Sequence, residues 1–352
     1  MWLFNSSIGK KFIMALTGAA LVLFVTFHVL MNAVAICWPT AYNAVCQFLG
    51  ANWYALIASA GLGLLVVIHI IYALVLTIQN RNARGNDRYA VTSRPKSVEW
   101  SSKNMLVLGI VVVAFLGVHL VQFWARMQLE EIMGTTFDAN GVEVPGAAGT
   151  IYLQLAFQEC WTLPVYLIGF VALWFHMTHG FWSMWQTIGW DNDKWMPRLK
   201  CIGNWWVTIV CGLFAIQAVV FTVQANKNFY LTDDALMSQY YEMYMEHAEK
   251  VNEPVVAEAL AIQAKLVNAQ QGNIPGQDLT DMMALQGKLQ ELNQKMQENA
   301  QAAQDAFLNL SKLGKCSTSC SAAEAPAKED PFKAAEPAAQ PAAPEAEGAT
   351  EE

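Results

Sequence analysis

The stretch Phe175-His176-Met177-Thr178-His179-Gly180-Phe181-Trp182 lies inside an apolar segment, from about residue 161 to residue 186, that contains no charged side chain. A helix of this length spans a bilayer, because an α-helix rises about 1.5 Å per residue. Histidine at such a position is costly unless it is bonded, since neither lipid nor an apolar protein interior satisfies an imidazole. The group that binds these imidazoles therefore decides what kind of membrane protein this is.

The composition predicts an integral membrane protein. Of the 352 residues, 55% are hydrophobic and 14% are charged, with 13 Trp and 17 Phe. The net charge of −8 arises in the C-terminal part, because residues 1–225 carry twelve Lys and Arg against nine Asp and Glu, whereas residues 226–352 carry nine against twenty. This distribution does not indicate nucleic-acid binding. The seven cysteines form no Cys-x-x-Cys-His motif, so a haem would be bound non-covalently.

Four further apolar runs are long enough to cross a bilayer. With the segment above they predict five transmembrane helices, at about residues 12–37, 54–78, 105–127, 161–186 and 205–225. Lys10 and Lys11 precede the first run as in a signal peptide, but the run is too long for one, so we predict a retained span. The predicted fold is an all-α integral membrane protein with a five-helix transmembrane domain over residues 1–226.

The charged residues of the connecting segments predict the orientation. Basic side chains dominate the second and fourth connections: Arg81, Arg84, Arg88, Arg94, Lys96 and Lys103, then Lys194, Arg198 and Lys200. Residues 38–53 carry no charge, and residues 128–160 carry five acidic side chains and no basic one. By the positive-inside rule, the N-terminus is cytoplasmic and the C-terminus lies outside.

Two more helices are predicted beyond the membrane domain. Apolar residues recur at helical spacing in two sets, separated by Gly272-Asn273-Ile274-Pro275-Gly276: Val255, Ala259, Ile262 and Leu266, then Met282, Leu285, Leu289, Leu292, Met296, Ala303 and Leu310. The pattern predicts an extracytoplasmic antiparallel helical hairpin over residues 227–315. Residues 316–352 are rich in Ala, Pro and Glu, which predicts a disordered tail.

The first four predicted spans each carry a histidine at nearly the same depth. It lies about 14 or 15 residues, or roughly 22 Å, into each helix: His28, His69, His119 and His176. Since successive helices run in opposite directions, the first and third histidines fall near the outer face and the second and fourth near the inner face. The two layers are roughly 14 Å apart along the membrane normal.

Two layers of two imidazoles match the axial ligands of two stacked haems, because each iron takes one neutral imidazole on each side of the porphyrin. His179, one turn after His176, competes with it for the same iron. The other interpretation is haem-free: the histidines are hydrogen-bonded between helices, or they form a proton relay in a transporter or membrane anchor. Equal depth on four helices favours the haems.

Three sequence features together resemble a known family. They are the five helices with a histidine on each of the first four, the opening stretch Ser7-Ile8-Gly9-Lys10-Lys11-Phe12-Ile13-Met14-Ala15-Leu16-Thr17-Gly18, and the fourth-helix pattern His176-x-x-x-Gly180-Phe181-Trp182. They are similar to the cytochrome b subunit of di-haem succinate:quinone oxidoreductases, the group of succinate dehydrogenases and fumarate reductases, and most closely to its b558-type subunits. The resemblance covers about residues 5–226.

The resemblance implies a ligand set. The family ligand on the fourth helix precedes the Gly-aromatic pair by four residues, which selects His176 over His179. His69 and His176 would hold one haem b near the cytoplasmic partners, and His28 and His119 would hold a second, distal haem b.

The resemblance also implies partners in a bacterial inner membrane. They are a flavoprotein subunit with FAD and the dicarboxylate site, and an iron-sulfur subunit, both on the cytoplasmic face. A membrane quinone, expected to be menaquinone, is the implied redox substrate. A dimer of the whole complex is compatible with the resemblance.

Two departures from the family bear on the quinone site. Some di-haem fumarate reductases carry a glutamate two residues before the fourth-helix ligand, where this chain has Trp174. Some carry an acidic residue near the outer start of the second helix, whereas residues 38–53 contain none. Quinol oxidation needs a proton acceptor, and the candidates are Glu130, Glu131 and Glu159.

A rival interpretation within electron transfer is the cytochrome b of a hydrogenase, formate dehydrogenase or nitrate reductase. Those subunits commonly place two ligands on one helix, about a haem-to-haem spacing apart. No predicted helix of this sequence has that pattern.

Overall fold

The computed structural model describes residues 6–84, 100–270 and 279–314. The helices are α1 Ser7–Cys37, α2 Pro39–Ala51, α3 Trp53–Arg84, α4 Trp100–His119, α5 Glu130–Met133, α6 Gly149–Phe157, α7 Thr162–Thr187, α8 Trp195–Asn226, α9 Asp234–Gln270 and α10 Leu279–Leu308. A π-helix, Leu120–Leu129, joins α4 to α5, and single 3₁₀ turns lie at Phe229–Leu231 and Leu310–Leu313. Two short strands, β1 Phe137–Ala139 and β2 Val142–Val144, pair antiparallel.

Five of these helices are long and apolar enough to cross a membrane, as the sequence predicted. They are α1, α3, α4 with its continuation to Met133, α7 and α8, and are called the first to fifth spanning helices below. The fifth begins at Trp195 rather than near residue 205. An apolar run marks only the part of a helix that lies in hydrocarbon, so the helix itself extends further. Which end faces the cytoplasm stays a prediction.

The first four spanning helices form a bundle. The fourth packs closely on the first, third and fifth, and the first also packs on the second and fifth. Three sides of this bundle are closely packed, first to second, first to fourth and fourth to third, whereas the second and third helices, like the diagonal pairs first–third and second–fourth, do not pack closely on each other. The interior between diagonal helices is where helix bundles commonly hold cofactors.

A compact cap covers the end of the bundle at which the first, third and fifth spanning helices finish. It consists of α2, the β-hairpin, α6 and the start of α9, and its core includes the fully buried Ile151, Tyr152 and Tyr240. Residues 38–53 and 128–160 are predicted from the sequence to be loops, so this cap is not predicted. Its helices of 13 and 9 residues are too short to be distinguished by apolar content alone.

Buried polar side chains attach α9 to the cap. Asn43 of α2 accepts hydrogen bonds from the backbone N–H and the hydroxyl of Thr150, both at 2.9 Å, and donates to Gln239 of α9 at 3.0 Å. The hydroxyl of Tyr240 lies 2.6 Å from that of Thr150 and donates to the Tyr230 carbonyl at 3.1 Å. A satisfied network in a buried position rigidifies the contact. The start of the C-terminal extension is therefore part of the same body as the spanning helices.

Helices α9 and α10 pack together along the predicted apolar residues. Their core contains Val255, Ala259, Ile262, Leu266 and Leu292, with Met282, Leu285, Leu289 and Met296 packed against it. Asn252 bonds to Asn299, whereas Glu258, further along α9, pairs with Lys288 earlier in α10, so the helices are antiparallel. The predicted breaker at 272–276, the predicted disordered tail at 316–352 and the basic residues Arg88, Arg94 and Lys96 lie outside the described residues.

Candidate functional site

The four histidines meet as two pairs inside the bundle. The ring centroids of His28 and His119 are 5.7 Å apart, and those of His69 and His176 are 6.3 Å apart. We call them the cap-side pair and the far pair. These are the partners that equal depth predicted, and each pair joins two diagonal helices. Their role as haem ligands stays a prediction.

The separation within each pair suits a metal held between two imidazoles. Such an arrangement requires ring centroids about 6 Å apart, because a metal–nitrogen bond is about 2 Å long and the ring nitrogen is about 1 Å from its centroid. Among the described residues, no group of three His, Cys, Asp or Glu side chains could hold a metal ion. Within those residues, each pair offers a metal two imidazoles and no third ligand of these types. Two imidazoles suffice for a haem, since the porphyrin supplies the remaining nitrogen ligands.

The hydrogen bonds of His69 leave one ring nitrogen available for a metal. Its Nδ1 lies 3.0 Å from the hydroxyl of Thr17 on the first spanning helix. That hydroxyl has one hydrogen and lies within bonding distance of the carbonyls of Ile13 and Met14, at 2.9 and 3.1 Å, so it accepts from His69 when it donates to either carbonyl. In that arrangement Nδ1 carries the hydrogen, and Nε2 is the unprotonated nitrogen that a metal requires.

His176 has an unsatisfied buried nitrogen and a glycine beside its ring. Its Nδ1 is buried and accepts or donates no hydrogen bond within the described residues. A Cβ at Gly109 of the third spanning helix would lie 3.7 Å from Cε1 of His176, and a Cβ at Gly18 would lie 3.5 Å from Cε1 of His69. Each ring of the far pair thus lies against backbone that has no side chain.

A hydrogen-bond chain begins at the cap-side pair. Nδ1 of His119 lies 3.2 Å from the hydroxyl of Tyr166, which donates to Oε1 of Gln122 at 2.9 Å. The amide nitrogen of Gln122 donates to the hydroxyl of Thr162 at 3.2 Å. Tyr166, Gln122 and Thr162 are all buried. His28 stacks on Phe24 with centroids 5.4 Å apart, and its Nε2 lies 3.4 Å from the amide nitrogen of Asn32.

The fourth spanning helix relates the two pairs along the bundle. Tyr166, which contacts His119, precedes His176 on this helix by ten residues. Ten residues of α-helix correspond to about 15 Å, close to the layer separation that the sequence predicted. The two pairs therefore lie one above the other in the bundle.

The third spanning helix changes from α to π immediately after His119. π-Helical turns are uncommon and recur at functional sites. The buried Gln122 belongs to this π-helix, on the side that contacts the fourth spanning helix. Neither the π-helix nor a site role for Thr17, Tyr166 and Gln122 was predicted from the sequence. The sequence signal was a glutamine inside an apolar run, three residues after a candidate ligand.

His179 lies one turn beyond His176. Its ring packs edge to face on Trp182 at 4.8 Å, and the Lys200 ammonium lies 4.1 Å from the centre of the Trp182 ring. The ring that faces His69 at 6.3 Å is that of His176. Trp174 donates its indole N–H to Thr208 of the fifth spanning helix at 2.9 Å. The position two residues before His176 therefore faces the fifth helix.

The three candidate carboxylates lie in different surroundings. Glu131 lies against the end of α2, because a Cβ at Gly50 would collide with its carboxylate. Gly50 precedes the second spanning helix by only three residues, so Glu131 supplies a carboxylate at the start of that helix from a different element. Glu130 accepts a hydrogen bond from the hydroxyl of Thr135, and Glu159 is exposed before the fourth spanning helix.

Comparisons with protein-family models, with curated proteins and with solved structures find no match to this chain. Its function is therefore inferred from its own residues.

Proposed function

We propose that this protein is a membrane cytochrome with two b haems that carries electrons between an iron-sulfur partner subunit and a membrane quinone, as in succinate dehydrogenases and fumarate reductases. One observation carries the proposal: His28 with His119, and His69 with His176, meet at metal-bridging separation between diagonal helices. The dicarboxylate chemistry belongs to a flavoprotein partner on the opposite end from the cap. The resemblance of residues 5–226 to the b558-type subunits supports the choice of partners.

The residues of this chain would hold and orient the two haems. Haem supplies reversible one-electron chemistry, which no side chain at this site offers. Thr17 fixes His69 with its hydrogen on Nδ1, and the glycines beside the far pair leave the imidazole rings room. Two pairs about 15 Å apart along the bundle would let an electron cross most of the bilayer in two steps.

The arrangement favours haem over a proton relay. A relay that runs through both histidine pairs requires hydrogen-bonding groups that connect them. Within the described residues, the bonds of His69 lead through Thr17 to carbonyls of its own helix, and those of His119 lead through Tyr166 toward the cap. Neither leads toward the other pair.

Haem stoichiometry tests the proposal. The protein, purified with its partner chains from solubilised membranes, should contain two haem b per chain by pyridine haemochrome and protein mass. Identification of the co-purifying chains should give a flavoprotein and an iron-sulfur protein. One haem or none would contradict the proposal, and partners of a hydrogenase or nitrate reductase would favour the rival cytochrome.

We assign Glu131 as the proton acceptor of the quinone site, because it lies at the start of the second spanning helix. Glu131→Gln should lower quinol oxidation by about 100-fold, the contribution typical of a general base, with both haems retained. Glu159→Gln is the matched control, since Glu159 is an exposed carboxylate at the same end. The measurement is quinol-dependent reduction of the haems in detergent. Equal losses in the two variants, or none in Glu131→Gln, would exclude the assignment.

A further inference from the structure

We propose that Tyr166 is a positioning residue that fixes the tautomer of His119 and increases its electron donation to the cap-side haem, so that this haem has a lower reduction potential than it would have without the hydroxyl. The inference rests on the proposed function. It concerns the hydrogen-bond chain from His119 through Tyr166 and Gln122 to Thr162, which lies outside the four-histidine set.

The direction of the chain determines where the hydrogen on His119 lies. Tyr166 has one hydroxyl hydrogen, and it donates that hydrogen to the carbonyl oxygen of Gln122 at 2.9 Å. Toward Nδ1 of His119, at 3.2 Å, the tyrosine oxygen can therefore only accept. The imidazole then carries its hydrogen on Nδ1, and Nε2 is unprotonated. The amide of Gln122 keeps its orientation because its nitrogen donates to Thr162.

The two pairs share this design. In each pair one histidine gives its Nδ1 hydrogen to a hydroxyl on a neighbouring helix: His69 to Thr17, and His119 to Tyr166. In each case the hydroxyl is itself directed by a carbonyl acceptor, from the backbone for Thr17 and from Gln122 for Tyr166. Each haem would thus have one histidine ligand that is hydrogen-bonded to a hydroxyl.

An acceptor on Nδ1–H changes the chemistry of the opposite nitrogen. The acceptor draws the hydrogen partly away from Nδ1, which raises the basicity of Nε2. Nε2 then donates electron density more strongly to a metal. Stronger donation stabilises the ferric state over the ferrous state, so the reduction potential falls. Removal of the hydroxyl should raise the potential of the haem concerned and leave the other haem unchanged.

The test is a potentiometric titration of the purified complex followed by optical spectroscopy. Tyr166→Phe keeps the ring, which packs edge to face on Phe115, Phe157 and Phe170, and removes only the hydroxyl. It should retain both haems and shift one midpoint potential to a more positive value. Thr17→Val should shift the other midpoint potential in the same direction. Tyr152→Phe is the matched control, because the Tyr152 hydroxyl bonds to the Val144 carbonyl in the cap, and it should shift neither.

Two results with Tyr166→Phe would overturn the inference: no shift of a midpoint potential, or a shift to a more negative value. So would a shift of the same haem's potential in both Tyr166→Phe and Thr17→Val, or an equal shift of potential in Tyr152→Phe. If Tyr166→Phe loses the haem, the Gln122→Met variant tests the inference in its place. This variant leaves Tyr166 in place but removes the acceptor of its hydroxyl. It should shift the midpoint potential of the cap-side haem, the haem that Tyr166→Phe is expected to affect. Failure of the proposed function is seen separately, because the unsubstituted protein would then contain fewer than two haems.

Discussion

His176→Ala should remove one of the two haems, whereas His179→Ala should keep both. The two histidines are one turn apart on the fourth spanning helix, so either could in principle reach the bundle interior. The structure brings the ring of His176 to 6.3 Å from that of His69, while that of His179 packs on Trp182. Loss of His176 would leave the iron of the far pair with one protein ligand, so we expect the haem of that pair to be lost on purification.

Haem content and a reduced-minus-oxidised spectrum measure this result. His69→Ala should remove the same haem as His176→Ala and leave the spectrum of the cap-side haem, if the protein still assembles. Quinone-linked activity should be lost in both. The opposite outcome, in which His179→Ala removes the haem and His176→Ala retains it, would show that the ligand assignment and the alignment to the b558-type subunits are displaced by three residues.

Gly109→Leu should remove the haem of the far pair without any change to a ligand. A Cβ at Gly109 would lie 3.7 Å from Cε1 of His176, an ordinary contact, so Gly109→Ala should keep both haems. The additional carbons of leucine would occupy the position of the imidazole ring and displace it, because packed interiors do not absorb such a volume without movement. The expected haem content falls from two per chain to one.

Gly212→Leu on the fifth spanning helix is the matched control for size. A Cβ at Gly212 would meet nothing within 4 Å, so leucine there should leave both haems in place. The spectrum of Gly109→Leu should show that the surviving haem is the one that survives in His176→Ala. Two haems in Gly109→Leu, in a protein that folds and assembles, would mean that His176 does not hold a haem at the position that the bundle gives it.

Features that depend on neighbouring residues in the chain were predictable from the sequence. The five spanning helices follow from the length of each apolar run, and the contact of α9 with α10 follows from the spacing of residues such as Ile262 and Leu289. The depth of each histidine is likewise a count of residues along one helix. Depth alone predicted that His28 would meet His119 and that His69 would meet His176.

The tertiary structure alone decided which side chains surround the histidines. Thr17 lies 52 residues from His69 in the chain and Tyr166 lies 47 residues from His119, so each contact depends on how two helices are rotated against each other. Hydropathy does not specify this rotation, because in lipid both faces of a spanning helix are apolar. The cap escaped prediction for a related reason: α2 and α6 are short helices whose packing depends on Asn43, Thr150 and Tyr240 coming together from three distant segments.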